Sequence, residues 1–311
     1  MSTPAPAFTA VVVVHDSSRE LDLLLVSLSR HLETPDQAAH AHRPEVIVVD
    51  SGSTDDGAAR ARGWGAETIV LPHNDGFGAA SNAGVGRAAS DITVLLNPDV
   101  QLLDDGLLTL VARARERDAL VAPRLLNADG TVQRSAHPLP GTAGALLPAL
   151  VHPPLLPRGP RLRAEPWRAD RPRTVGWAIG ACLVARTDTL RRLGPFDPSA
   201  FLYAEDMDLC LRARAVGVLT ELHPEVRLRH TGAHATARAF GGEPLDLLAR
   251  RRREVVAQLG ERALTLDDAA QGLTFASRAA ARALLAKDPR RELAQLAALR
   301  RARSAAPGSE L

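Results

Sequence analysis

The chain of 311 residues is poor in cysteine, lysine, aromatic residues and long apolar runs. Two cysteines, Cys182 and Cys210, cannot build a disulfide framework, so a reducing compartment is expected. Lys287 is the one lysine among 38 basic residues, a bias of coding rather than of mechanism. Aromatic residues make up 3%, so those that cluster carry information. The longest uncharged run, Ser135 to Pro157, holds six prolines and cannot be a membrane-spanning helix. Met1 to Thr9 lacks the basic start and apolar stretch of a signal peptide. A soluble or membrane-peripheral protein is predicted, cytoplasmic and at most resting on the inner face of the cell membrane. The net charge of +2 supplies no global field for nucleic acid, and no such partner is expected. An apolar fraction of 45% excludes disorder of the whole chain and leaves room for one large domain or two small ones.

Hydrophobic patterning predicts alternating strands and helices. Ala10 to Val14 is a β-branched run of buried-strand type, and Ser18 to Leu32 carries a helical stripe at Leu21, Leu24, Leu25, Leu28 and Leu32. Strands at Val46–Val49, Thr68–Leu71, Ile92–Leu96 and Leu120–Ala122 alternate with helices at Asp55–Trp64, Ala79–Ala89 and Leu103–Arg117. This order predicts βαβ units and a mostly parallel sheet, with ligands beyond the carboxyl ends of the strands. Those ends carry His15-Asp16, Asp50-Ser51-Gly52-Ser53 and Asn97-Pro98-Asp99, three polar clusters that would share one crevice. Pro138 to Pro172 reads as an irregular surface excursion. Trp177–Arg186 reads as one strand, Glu205–Ala215 as a helix, and Leu219–Leu222 and Val226–Leu228 as two short strands. From Leu245 the pattern is helical. Arg250 to Leu311 holds 13 basic and 7 acidic residues, net +6, which leaves the rest of the chain at −4. The division predicted is a catalytic unit over 1–242 and a basic helical extension over 243–311.

Four groups can carry chemistry. Asp50, at a strand end before a glycine, can accept from a nucleobase or ribose; Ser53 to Asp56 read equally as a helix cap. Asp99 at a strand end suits an oxygen-preferring cation, and the plainer reading is an Asx turn fixed by Pro98. Glu205-Asp206-Met207-Asp208 crowds three acids at a helix start, where mutual repulsion raises a pKa toward that of a general base; dipole complementation with an Asp208–Arg212 pair is the alternative. His230 follows a strand and can be a metal ligand or a structural histidine. Gly84-Val85-Gly86-Arg87-Ala88-Ala89 imitates a dinucleotide fingerprint, but no strand leads into it directly.

The combination Val11-Val12-Val13-Val14, Val48-Val49-Asp50-Ser51-Gly52-Ser53, Asn74-Asp75-Gly76-Phe77-Gly78, Leu96-Asn97-Pro98-Asp99, Gly194-Pro195-Phe196-Asp197, Phe201-Leu202-Tyr203-Ala204-Glu205-Asp206-Met207-Asp208 and His230 strongly resembles family 2 glycosyltransferases of the GT-A fold. Within them it is most similar to the bacterial rhamnosyltransferase branch, over about Ala10 to Thr236. The resemblance implies an α/β, Rossmann-like, mostly parallel sheet flanked by helices. It implies an inverting transferase that moves a sugar from a nucleotide-diphosphate donor, dTDP-rhamnose among the possibilities, to a hydroxyl of a glycan or polyprenyl-linked acceptor in cell-envelope polysaccharide synthesis. Donor contacts are implied for His15, Asp50, Gly52, Asn74, Gly76, Asn82, Asn97, Asp99 and Gly180. Asp50 would hold the nucleobase. Asp99 is the surviving carboxylate of a D-x-D motif in which Asn97 stands for the first aspartate, and it would share a divalent cation, Mg²⁺ or Mn²⁺, with His230. Asp206 would be the general base beside Glu205, and Trp177, Tyr203 and Asp208 would line the acceptor side. Arg250-Arg251-Arg252-Arg253 and Arg300-Arg301-Ala302-Arg303 flank helices that can rest on anionic lipid or pack as a solvated appendage. Two other classes stay open: a nucleotidyltransferase on a related sheet, though Val14 to Arg19 offers no basic glycine-rich loop, and a non-catalytic nucleotide-sugar-binding protein.

Overall fold

A computed structural model describes residues 8–32, 44–151, 155–194, 196–197, 202–232 and 244–304. Strands β1 (Thr9–Val14), β2 (Glu45–Ser51), β3 (Glu67–Leu71) and β4 (Ile92–Leu96) are parallel, with Val14 opposite Asp50 and Val12 opposite both Val48 and Leu96. Alternate residues of these strands enter different cores. Ala10, Val12, Val14, Val48 and Val94 face helix α1 (Ser18–Leu32) and α4 (Leu107–Glu116), whereas Val11, Val49 and Leu95 face α3 (Gly76–Arg87) and α8 (Glu205–Ala215). All five stripe leucines of α1 are buried, each contributing about 2 kcal/mol of apolar burial. Gly84 lets α3 lie flat on β1, because a Cβ there would fall 2.3 Å from Val11 Cγ1.

Among the described residues one sheet of nine strands runs β3-β2-β1-β4-β10-β6-β11-β5, completed by β6 (Ala119–Leu126), β10 (Cys182–Arg186), β11 (Leu219–His230), β5 (Val100–Leu102) and β8 (Arg173–Val175). β10 enters antiparallel between β4 and β6, while β5 and β8 flank β11 antiparallel at its two ends; the rest of the sheet is parallel. The mostly parallel α/β sheet flanked by helices is therefore as expected.

Several elements differ from the sequence reading. Trp177–Arg186 is broken: β9 (Trp177–Ala178) leaves the main sheet to pair with β7 (Ala136–His137), and β10 begins after a turn at 179–181. The break exists because the turn's backbone is claimed by other partners, described below. The two strands expected over 219–228 are one strand with a bulge between His223 and Arg227, where Pro224 cannot donate to a ladder. The segment expected to be irregular holds α5 (Ala143–Leu150), α6 (Arg158–Ala164) and a 3₁₀ turn at Pro166–Arg168; prolines at the starts of the latter two are compatible with helix entry. The helix expected from Leu103 starts at Leu107, because Val100–Leu102 is spent on β5.

Beyond the sheet lie α9 (Leu245–Ala257), α10 (Glu261–Leu284) and α11 (Arg290–Ser304). Val255 and Val256 of α9 are buried against Met207 and Leu211 of α8. Gly141 touches α10 so closely that a Cβ would sit 2.6 Å from Ala263 Cα. The boundary expected at 242/243 falls in 233–243, outside the described residues. The arginine quartet is largely committed inward: Arg252 makes a two-pronged pair with the buried Asp267 at 2.8 and 2.7 Å, and Arg253 pairs with Asp268. Those two charges are thereby withdrawn from any lipid-facing surface.

Candidate active site

The ends of β1 and β2 form the first wall. Asp50 is 4% exposed, and its Oδ1 accepts from Ser53 N at 2.9 Å, so the carboxylate organises its own turn. His15 Nδ1 lies 2.9 Å from the Ser51 carbonyl, and the Ser51 hydroxyl donates to Asn74 Oδ1 at 3.1 Å. The same Asn74 oxygen accepts from Gly76 N at 3.1 Å. Gly52 has φ +66°, and a Cβ there would come 2.9 Å from His73 C, so glycine is what lets the 73–74 backbone descend onto this turn. His15, Asp50, Gly52, Asn74 and Gly76 are thus gathered as expected of neighbours on one wall.

Asp16, which sequence reasoning left without a role, ties the wall together. Its Oδ1 accepts from Thr54 N at 2.7 Å, Thr54 Oγ1 at 3.0 Å and Asp55 N at 3.3 Å. The Thr54 N–H above all holds its pKa below the usual value, against desolvation. The Asp55 carboxylate in turn accepts from Ser18 N at 2.8 Å, at the start of α1, and from Gly57 N at 3.0 Å, at the start of the helix Gly57–Trp64, so its capping role is real and serves both helices. Asn82 does not join this wall. Both ends of its amide are engaged by the Phe196 backbone, at 2.8 and 3.0 Å, clamping α3 to the turn before α8.

A second corner forms where β5 pairs with the end of β11. Val100 opposite His230 brings Asp99 beside His230, Thr231 and Gly232. Asp99 Oδ1 lies 3.3 Å from His230 Nε2, and Asp99 Oδ2 accepts from Gly232 N at 2.8 Å. Burial pushes the Asp99 pKa up, but the His230 partner and the Gly232 N–H outweigh it, so the group titrates below the ordinary carboxylate value. Among the described residues no cluster of three His, Cys, Asp or Glu side chains forms a complete metal cage. One carboxylate and one imidazole suit a divalent cation that takes its remaining ligands from phosphate oxygens and water.

The third corner is the start of α8. Tyr203 and Ala204 precede it with φ of +73° and +60°, a costly conformation for side-chain-bearing residues. Asp206 Oδ2 accepts from Gly180 N at 3.0 Å and its Oδ1 from Met207 N at 2.7 Å. Desolvation raises the Asp206 pKa to about 6 despite these donors. Glu205 rises further, to about 8, through desolvation first and the Asp206 charge second, and its Oε2 is buried with no hydrogen-bond partner among the described residues. Asp208 is taken up by other partners: it pairs with Arg212 at 2.7 Å and accepts from Gln258 of α9 at 3.0 Å. Trp177 is half-buried, stacks on His137 with ring centroids 4.1 Å apart and packs against Met207. Burial, aided by the Arg252 charge, pushes the His137 imidazole down to about 3.

One turn joins the second and third corners. Gly180 donates to Asp206, and the next residue, Ala181, accepts Asn97 N at 2.9 Å with its carbonyl. Asn97 opens the turn that carries Asp99. These bonds account for the break in the strand expected over 177–186. The residues that sequence reasoning missed, Asp16, Gln133 on His230, and Gln258 on Asp208, are polar side chains whose partners lie 38, 97 and 50 positions away. Of these, only Asp16 had a local signal, its place at a strand end.

The family model for Glycosyl transferase family 2 matches residues 9–167, about half the chain. The chain is a family 2 glycosyltransferase. This transferase is 31% identical over 274 residues to the N-acetylglucosaminyl-diphospho-decaprenol L-rhamnosyltransferase of Mycobacterium tuberculosis, a match covering 81% of this chain and 83% of that one. It is 28% identical over 173 residues to Rhamnosyltransferase WbbL of Escherichia coli, covering 53% and 64%. Its fold is that of the mannosyltransferase PcManGT from Pyrobaculum calidifontis, solved in complex with GDP-Man and Mn²⁺, at TM-score 0.57 and 17% identity over 95% of this chain and 85% of that one. The GT-A expectation and the rhamnosyltransferase-like placement therefore hold for the transferase. Neither the nucleotidyltransferase nor the non-catalytic alternative is favoured. Among its described residues no helix is long and apolar enough to cross a membrane.

Proposed function

We propose that the chain transfers a sugar, with inversion, from a nucleotide-diphosphate donor to a hydroxyl of a polyprenyl-diphosphate-linked glycan, with a deoxyhexose such as rhamnose as the donor sugar. The observation that carries this reading is the turn at 179–181, whose adjacent residues hold the Asp206 carboxylate and the Asn97-Pro98-Asp99 corner together. A base and a diphosphate site must lie on either side of one anomeric carbon for a single displacement, and this turn supports that pairing. Asp206 removes the acceptor proton, and the freed oxygen attacks the face opposite the diphosphate. The raised Asp206 pKa suits a base that must hold that proton near neutrality. Asp50 and Asn74 bind the nucleoside, and Asp99 and His230 would hold Mg²⁺ or Mn²⁺, which would supply positive charge for the departing diphosphate. Trp177 and Tyr203 line the acceptor side. Residues 1–242 form the catalytic unit and 243–311 a helical extension against it. Work at the cytoplasmic face of the membrane fits a water-soluble donor and a lipid-linked acceptor.

The test is transfer from dTDP-rhamnose to a short-chain polyprenyl-diphospho-N-acetylglucosamine, read by mass and by the anomeric configuration of the product. An inverted glycoside that disappears with excess chelator and returns with Mn²⁺ is expected. Absence of transfer from every donor in a nucleotide-sugar panel would overturn the reading.

A further inference from the structure

We propose that Gln133 is a positioning residue for the cation corner: its side-chain carbonyl holds the His230 ring so that Nε2 is the nitrogen turned toward Asp99 and a divalent cation. The inference rests on Asp99 and His230 being the cation ligands.

The geometry is direct. Gln133 Oε1 lies 2.9 Å from His230 Nδ1, while His230 Nε2 lies 3.3 Å from Asp99 Oδ1. A carbonyl acceptor at Nδ1 places a hydrogen there, which leaves Nε2, the nitrogen that partners Asp99, as the one able to offer a lone pair to a cation shared with that carboxylate. The ring is thereby given the orientation a metal-binding histidine needs from its neighbours.

Gln133 is itself held by backbone. Its N–H donates to the Leu125 carbonyl at 2.9 Å, and its carbonyl accepts from Ser135 N at 2.9 Å. The intervening turn is closed by Asn127 N donating to Thr131 O at 2.8 Å and by a bridge between Leu126 and Val132. The other arm of this turn is β6, whose Leu126 is in register with Arg229, the residue before His230. Gln133 and His230 are thus carried on two elements that share β6, and their contact is fixed by sheet register rather than by a flexible loop. Gly232, at φ +73°, borders this contact, with its Cβ position at ordinary van der Waals distance, 3.7 Å, from Gln133 Nε2. Further along, Ser135 O accepts from Ile179 N at 3.0 Å, beside the Gly180 that holds Asp206. The stretch 133–135 therefore touches both the cation corner and the acid corner.

The experiment is Mn²⁺ binding by the full chain in the presence of dTDP, followed by electron paramagnetic resonance, for the parent, Gln133→Leu, Gln133→Glu, Asp99→Asn and His230→Gln. Loss of the acceptor in Gln133→Leu is expected to weaken Mn²⁺ binding about 10- to 100-fold, the range for outer-shell partners of metal ligands. Gln133→Glu keeps an acceptor oxygen and is expected to stay within a few-fold of the parent, whereas a merely space-filling role would leave the similarly sized Gln133→Leu parent-like as well. Gln133→Ala carries the same test if Gln133→Leu fails to fold. Parent-like binding by the acceptor-free variant, or an equal loss in Gln133→Glu, overturns the proposal. Parent-like binding by Asp99→Asn and His230→Gln overturns the ligand assignment beneath it and is told apart by those two variants alone.

Discussion

Gly180 N–H points at the Asp206 carboxylate from 3.0 Å, across 26 positions of sequence. The carboxylate that this donor orients is the one proposed to receive the acceptor proton. Asp206→Asn keeps one oxygen that can accept from Gly180 and gives up the acceptor for Met207 N, so the local fold should persist with one backbone bond fewer while basicity is lost. Transfer should fall by a factor on the order of 10² to 10⁴, the range for general-base removal, with dTDP affinity unchanged. Steady-state kinetics beside calorimetric dTDP titration check this. An equal loss of binding and turnover would reject Asp206 as the base.

The acid pair sets a pH signature. Asp206 must be ionised to act, so kcat/KM should climb as pH passes about 6. Glu205 still holds its proton there and releases it only near about 8. In Glu205→Gln the limb near 6 should remain and any change near 8 should vanish. Stability moves the other way. Glu205 is raised in the folded state above its ordinary value of 4.5, so the native chain binds more protons than the unfolded chain between 4.5 and about 8. Stability contributed by this group is fully present below 4.5 and is lost as pH rises through about 8, by on the order of a few kcal/mol. Urea unfolding at pH 5, 7 and 9 should show that decline in the parent and a flatter profile in Glu205→Gln. A parent that gains stability over this range would contradict the burial of Glu205.

Gly52 tests the nucleotide wall without touching an ionisable group. An alanine there must take φ +66° and meet the His73–Asn74 backbone at 2.9–3.0 Å. The strained conformation alone costs about 1 kcal/mol or more, and the clash lifts the 73–74 segment away from Ser51. Gly52→Ala should weaken dTDP binding about tenfold or more while the melting temperature falls only a few degrees. Unchanged dTDP affinity would mean that the Ser51–Asn74 contact does not shape the donor site.

The parts legible in the sequence are those dictated by local periodicity. The α1 stripe, the bounds of β4 and the polar clusters at three strand ends all follow from spacing within 20 residues, because burial on one or both faces leaves a repeating signature. Gly180 carried no such signal. Trp177–Arg186 is apolar throughout and reads as one strand, and only the claims of Asp206 and Asn97 on its backbone break it. Asn82 is a donor contact only by family resemblance, and its amide is matched to Phe196, 114 positions away. For Asp208 the alternative reading, a pair with Arg212, is the one found, and only its bond from Gln258 of α9 had no local signal. Long-range polar pairing of this kind depends on which elements become neighbours, and that is set by the sheet order rather than by any local pattern.

The contact between α9 and α8 yields the last expectation. Val256 is fully buried, and with Val255 it covers Met207 and Leu211 on the helix that begins with Glu205 and Asp206. Gln258 adds a hydrogen bond to Asp208, whose other oxygen holds Arg212. If the basic extension were only a lipid-facing appendage, a change at 256 would leave the acids undisturbed. Val256→Asp instead buries an unpaired carboxylate against apolar side chains, a change that costs about 3–5 kcal/mol or forces α9 off α8. Turnover should drop at least tenfold in detergent-solubilised assays that contain no bilayer, and the limb near pH 6 should shift toward the ordinary carboxylate range as Asp206 becomes hydrated. Val256→Ala, which only trims the packing, should lose about 1–2 kcal/mol of stability and keep the limb in place. A Val256→Asp protein with parent kinetics in the absence of lipid would show that α8 stands without its helical cover.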